Sequence, residues 1–400
     1  MNRTAIPLIA AAIFATLAAA LAPASSGTSL HAARYQTTWL ISRARGGGVP
    51  NGPSTHAVIS GDKRYARMIA FQSEASDLVK GDDNGASDVF LIKRAGSFSN
   101  DGEPWRGGNT ELISRGLDGP SANGPSFAPA VDGNYYVPPK CVAFLSKASN
   151  LVHGDTNGRT DAFLWRRGRV FRISYPGGHQ AHHDVQSVAV AGDCTRTAFT
   201  VDGRLFVHGH GHTSTLYDHG DPRNPSFGAG EHGDLVFDSG GKVYLSREAR
   251  ERPHVVAHGR NPAFNALRRQ VVAYEARRGG HWQIAYRDLG GSEHVVSRRG
   301  SHLGNADSRD PVVTNSGFYI GFESDASNLG AGHGQYAYLY TDVRKMTQVR
   351  SVDDGGDPLP GGGRDPSVSY YANYIVFSSP APAGSTRAPD QIFMRYLGGK

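Results

Sequence analysis

The chain has 400 residues, with 42 Lys+Arg against 36 Asp+Glu, a formal charge of +6, 51 Gly and 22 Pro. Its 17 Tyr, 17 Phe and 4 Trp supply apolar surface for a large core, which excludes disorder as the main state; no G-X-Y period appears, which excludes a collagen-like chain. The basic pairs Arg166-Arg167, Arg268-Arg269, Arg277-Arg278 and Arg298-Arg299 form no single run and lack interleaved aromatics, so no nucleic acid is expected as a partner.

Residues 1–24 read as a secretory signal peptide. Arg3 gives the positive start, an apolar run extends from Ile6 to Ala22, and Ala22-Pro23-Ala24 offers small residues before Ser25. That run is short for a bilayer span, and no other stretch has the length to cross one. Residues 25–36 read as a linker and 37–400 as one domain, so the mature chain is expected to be secreted or periplasmic. Its two cysteines, Cys141 and Cys194, either form one disulfide there or remain two buried thiols. Without a CxxC, a cysteine zinc site is excluded.

Internal repetition dominates the mature chain. Ala70 to Leu91 reads AFQSEASDLVKGDDNGASDVFL and Ala143 to Leu164 reads AFLSKASNLVHGDTNGRTDAFL, an ungapped match; a third copy starts at Gly321 as GFESDASNLGAGHGQYAYL. Each copy is a set of short alternating strands. First strands start near Thr55, Ser126, Asp184, Pro225, Pro262, Pro311 and Pro366. Second strands centre on Ala70, Ala143, Ala198, Val236, Ala273, Gly321 and Val376. Third strands centre on Phe90, Phe163, Phe206, Tyr244, Ala285, Tyr338 and Phe393. Fourth strands end at Ser114, Ser174, Asp218, Ala257, Ser297 and Ser351, one fewer than the units need. Trp39-Leu40-Ile41-Ser42 matches Glu111-Leu112-Ile113-Ser114 and has no unit of its own, so it is expected to complete the last sheet and close a ring. The 360 residues from Thr37 to Tyr396 make about 51 per unit, near the period of a propeller blade. The expected fold is an all-β, seven-bladed propeller of four-stranded antiparallel blades.

The signature AFxSxASxLVxGDxNGxxDxFL resembles that of the TolB-like, WD-repeat-like β-propeller proteins of bacteria. Three blades carry it, and the blade pattern covers essentially the whole mature chain. The resemblance implies a propeller and, by itself, no particular activity.

In such blades the second–third and fourth–first loops share one face. Here they are long and rich in Gly, Asp and Asn, so that face is the expected binding surface. Asp118, Asn123, Asn305, Asp310 and Asp365 are its candidate binding residues. Asp82, Asn84 and Asp88 in one loop, and Asp155, Asn157 and Asp161 in another, place oxygen donors at positions one, three and seven. That spacing suits calcium, but the loop is shorter than an EF-hand loop and has no terminal Glu, and the plainer reading is an Asn-Gly turn whose Asp side chains cap backbone amides. No cofactor is otherwise required. The Arg94–Thr110 insertion and the turn His208-Gly209-His210-Gly211-His212 fall on the opposite face. Nucleophile-elbow, metalloprotease and P-loop motifs are absent. The expectation is therefore a monomeric binding or scaffold protein for a protein or cell-envelope polymer. The alternative is a propeller enzyme, a lyase or glycosidase, with acidic and His residues meeting at the channel mouth.

Overall fold

The repeated Ala-Phe and Val-Phe-Leu segments meet as cross-strand aromatic pairs. Phe71 faces Phe90, Phe144 faces Phe163, Phe199 faces Phe206, Phe237 faces Tyr244, Phe322 faces Tyr338, and Phe377 faces Phe393. Their rings stack with centroids 5.3 to 6.2 Å apart. Such pairs add to plain area burial, by about 0.5–1.5 kcal/mol each. In the remaining unit Tyr274 faces Ala285, and its hydroxyl donates to Glu293 at 2.7 Å.

These pairs sit at the centre of the blades in a computed structural model that describes residues 36–62, 65–96, 105–119, 121–134, 136–230, 233–265, 267, 269–381 and 388–398. The signal-peptide segment, nearly all of the linker and the middle of the Arg94–Thr110 insertion lie outside the described residues. Blade one comprises Ser54–Ile59, Met68–Ser73, Asp88–Arg94 and Gly107–Leu112. Blade two comprises Ser126–Val131, Cys141–Ser146, Asp161–Arg166 and Arg169–Arg172. Blade three runs from Ser187–Val190 through Arg196–Val201 and Arg204–Gly209 to His212–Tyr217, and its first strand starts at Ser187 rather than near Asp184. Blade four comprises Arg223–Phe227, Leu235–Ser239, Lys242–Ser246 and His254–His258. Blade five comprises Arg260–Asn265, Val271–Arg278, His281–Asp288 and Glu293–Val295. Blade six comprises Ser308–Val313, Tyr319–Ser324, Tyr336–Thr341 and Met346–Val349. Blade seven comprises Arg364–Val368, Tyr374–Pro380 and Asp390–Tyr396, and its fourth strand is Thr38–Leu40 from the other end of the chain. A small hairpin, Arg298–Arg299 with His302–Leu303, occupies the loop between blades five and six. Apolar clusters fill the spaces between successive blades.

Closure uses the same serine contact as four of the other blades. At the end of the fourth strand a buried serine hydroxyl accepts a third-strand N–H: Val89 to Ser114, Ala162 to Ser174, Ile284 to Ser297 and Ala337 to Ser351. Three of these hydroxyls donate in turn to Asp88, Asp161 and Gln283. Ser42 repeats this for blade seven: it accepts from the Ile392 N–H and donates to Gln391 Oε1, both at 2.9 Å. Thr38 pairs with Arg395, whose buried guanidinium donates to Thr38 Oγ1 and to the Asp353 carbonyl, both at 2.8 Å.

The two cysteines are bonded, S–S 2.11 Å, joining the second strand of blade two to the first turn of blade three. Asp132 lies beside them, buried; its Oδ1 accepts the N–H groups of Lys140 and Cys141, while Oδ2 has no hydrogen-bond partner.

Ser42→Ala strands the Ile392 N–H and Gln391 Oε1 in a buried site. It is expected to cost about 1–3 kcal/mol of stability by chemical denaturation. A variant as stable as wild type would show that the ring is not held by this contact.

Candidate functional site

Four blades carry the triplet Arg-Asn/Asp-Pro in their first strand: Arg223-Asn224-Pro225, Arg260-Asn261-Pro262, Arg309-Asp310-Pro311 and Arg364-Asp365-Pro366. Proline steers the preceding residue away from helical backbone and cannot donate to a strand ladder, so it belongs at an irregularity. The pairing register slips at each of these positions, and also in blades one and two. At the slip, His56, Ala128, Asn224, Asn261, Asp310 and Asp365 adopt left-handed backbone, φ 49° to 53°. Asn and Asp tolerate that region better than other non-glycine residues.

The arginine before the bulge pairs with a nearby acid: Arg260 with Glu275 at 2.7 Å and over the Trp282 ring, Arg309 with Asp325 at 3.1 Å, Arg364 with Asp390. The bulge side chains instead meet one another across blades at the channel mouth. Asn261 Nδ2 donates to Asp310 at 2.7 Å and to Glu275 at 3.0 Å, and His56 Nε2 lies 3.7 Å from Asp365.

Beneath this rim, a second-strand side chain of one blade accepts the bulge N–H of the next. Gln72 takes Ala128, Asp238 takes Asn261, Glu275 takes Asp310 and Glu323 takes Asp365, at 2.9 to 3.1 Å. These contacts stitch neighbouring blades and leave an arc of carboxylates: Asp238, Glu275, Asp310, Glu323 and Asp365. Desolvation raises the pKa of Asp238, and the Glu275 charge adds to the rise. Asp310 is open to solvent by area but lies in the concave mouth, where desolvation, then repulsion from Glu275 and Asp365, raises its carboxyl. Glu323 is pushed up to about 7, mainly by desolvation, with repulsion from Asp310 and Asp365 outweighing part of what the Asp365 N–H restores.

The mouth leads to a channel of about 270 Å³ lined by first-strand residues such as Val58, Ala130, Val188, Phe227, Val312 and Val368. On the opposite face, Asn315 Nδ2 donates across the axis to the carbonyls of Gly61 at 2.9 Å and Gly133 at 3.1 Å. A Cβ on Gly61 would lie 2.1 Å from that amide, so the position admits only glycine without rearrangement.

Of the candidate binding residues, Asp310 and Asp365 come together at this mouth. Asn123 and Asn305 do different work. Asn123 donates Nδ2 to Ser149 and its N–H to Asn150, and Asn305 does the same with Ser327 and Asn328, fastening the loop to the ASNL segment of its own blade. Asp118 is exposed in its loop. In the two acidic loops the asparagines donate to the last aspartate, Asn84 to Asp88 at 2.6 Å and Asn157 to Asp161 at 2.8 Å. Their side-chain oxygens accept the N–H groups of Ala86 and Arg159. Desolvation raises Asp82, and Arg172 lies 3.0 Å from Asp155. Among the described residues, the one group of three such side chains with ligand atoms mutually within 4.8 Å is Asp132, Cys141 and Cys194, whose sulfurs are bonded to each other. Sequence reasoning missed His56, Asn224, Asn261, Asp238, Glu275 and Glu323. The fourfold Arg-Asn/Asp-Pro repeat was the available signal for the bulge residues.

No family model matches the chain, and no curated protein matches it. Solved structures do. An oligogalacturonate lyase from Vibrio parahaemolyticus superposes with a TM-score of 0.52 at 8% identity, covering 90% of this chain and 97% of that one. TolB from Acinetobacter baumannii gives 0.42 at 12% identity and 65% of each chain. A putative TolB from Agrobacterium tumefaciens gives 0.38 at 11%, covering 57% of this chain and 94% of that one. The lyase likeness supports the propeller fold and nothing finer.

Asp88, Asp132 and Glu323 each have a pKa pushed up to about 7, mainly by desolvation. The folded state therefore holds protons that the unfolded chain releases near pH 4, and stability is expected to fall as pH rises from about 4 through 7. Asp132→Asn should flatten that slope in denaturation curves taken across this range. An unchanged slope would mean that Asp132 is ionised in the folded protein throughout.

Proposed function

We propose that the chain is an exported TolB-like propeller that binds a partner at the mouth of its channel. The observation that carries this is the arc of carboxylates from blades four to seven, gathered around four like-placed bulges above an apolar channel. Arg223, Arg309 and Arg364 are paired with Asp221, Asp325 and Asp390, and Arg260 pairs with Glu275 alone of the arc, so carboxylates outnumber paired cations at the rim and the mouth suits a cationic segment of a protein or an amine-bearing envelope polymer. Electrostatic complementarity of this kind sets specificity and association rate. The TolB-like assignment rests on the AFxSxASxLVxGD repeat, and export on residues 1–24.

Titration of the chain from residue 25 with a lysine-rich peptide tests the mouth directly. Asp310→Asn with Asp365→Asn should weaken binding about tenfold at low salt and reduce its salt dependence. The same variant should recover less material from an envelope fraction. Equal affinity and equal recovery would remove the mouth as the binding site.

A second reading is favoured by one feature. Carboxylates from different blades meet at a single opening, and Glu323 is pushed up to about 7 beside Asp310 and Asp365. Acid–base chemistry on an acidic polysaccharide draws on such a set. Against it, both Glu323 oxygens already accept hydrogen bonds, from Gln335 and from the Asp365 N–H. Incubation with oligogalacturonate, followed by ultraviolet absorbance of unsaturated products, decides: product formation lost in Asp310→Asn establishes the enzyme, and no product leaves the binding reading.

A further inference from the structure

The outer edge of blade two carries a charge arrangement that the fold does not explain. Its third and fourth strands place Arg166 directly opposite Arg169, and Leu164 directly opposite Phe171. Like charges facing each other across a ladder destabilise it. Among the described residues no ion pair or side-chain hydrogen bond involves Arg166, Arg167 or Arg169, so no carboxylate offsets this cost. Phe171 is an apolar side chain left 48% exposed beside them.

These residues line a cleft of about 640 Å³ between blades two and three, completed by Ile173 and by His208 of blade three. Its size is within the range of small-molecule sites. Arg172 is of a different kind: its guanidinium is buried and held by Asp155, Gln180, Tyr175 and the Gly154 carbonyl. The cleft thus combines an apolar floor with exposed guanidiniums that no carboxylate compensates. We infer that this cleft binds an amphipathic organic anion, its apolar body on Leu164, Phe171 and Ile173 and its carboxylate or phosphate head held by Arg166 and Arg169. Guanidinium forks suit both heads, and a bound anion relieves the cross-strand repulsion. The site lies on the outer side of blade two, apart from the channel mouth, and stands or falls independently of it.

Calorimetric titration below the micelle-forming concentration tests the inference with dodecanoate, dodecyl phosphate, dodecyltrimethylammonium and a glutamate-rich peptide. Both dodecyl anions should bind the wild-type chain. Arg166→Gln with Arg169→Gln should weaken them about tenfold, the loss expected for charge-assisted hydrogen bonds. The tighter of the two identifies the head group. A melting temperature equal to or above wild type shows that the variant is folded, as removal of a repulsive pair predicts. Failure of both anions to bind, equal affinity in the variant, or equal binding of the cationic amphiphile overturns the inference. Binding of the peptide through the same arginines without the dodecyl anions also overturns it, in favour of a protein-docking edge.

Discussion

The ring depends on one strand pairing that spans almost the whole chain. Thr38–Leu40 has only three residues to pair with the last strand, yet Ser42 and Arg395 extend its hold. Ser42 occupies the position that Ser114, Ser174, Ser297 and Ser351 occupy in their blades, giving the third strand an acceptor where the fourth strand ends. Without this strand the last blade would present a bare edge. Local contacts recur from blade to blade with variations. The pairing of its two ends is what makes seven blades one object.

Within the closed ring the mouth arises from conflict between sequence and strand geometry. Proline follows the bulge residue in five blades, where a regular first strand would require a ladder donor. The backbone yields by slipping register and taking left-handed φ. Side chains that strand alternation would have separated then stand as neighbours around the axis. The bulge N–H, released from its own ladder, is taken up by an acid or amide of the preceding blade. One local irregularity thereby sets both the inter-blade stitching and the charge at the opening.

Blade count, strand order and ring closure were legible in the sequence because they arise from repetition and alternation, which each blade states anew. The match of Trp39-Leu40-Ile41-Ser42 to Glu111-Leu112-Ile113-Ser114 carried closure, and the serine explains why. The mouth was only half legible. Asp310 and Asp365 were singled out as loop acids on the favoured face, but their partners Glu275 and Glu323 lie inside second strands, where alternation marks them as ordinary strand residues. Asn123 and Asn305 looked like surface donors because their role, fastening a loop to Ser149 and Ser327, exists only once the two loops are folded together. The first strand of blade three has no proline and no left-handed residue, and its ladder pairing begins at Ser187, three residues later than the pattern suggested.

Asn315 bridges the Gly61 and Gly133 carbonyls at one end of the central passage, while the carboxylates gather at the other. The two ends are therefore chemically unlike, one spanned by neutral amide hydrogen bonds and the other lined by acids. A ligand drawn by charge meets the ring from the acidic side, so the passage has a front and a back that a ring of repeated units does not possess by itself.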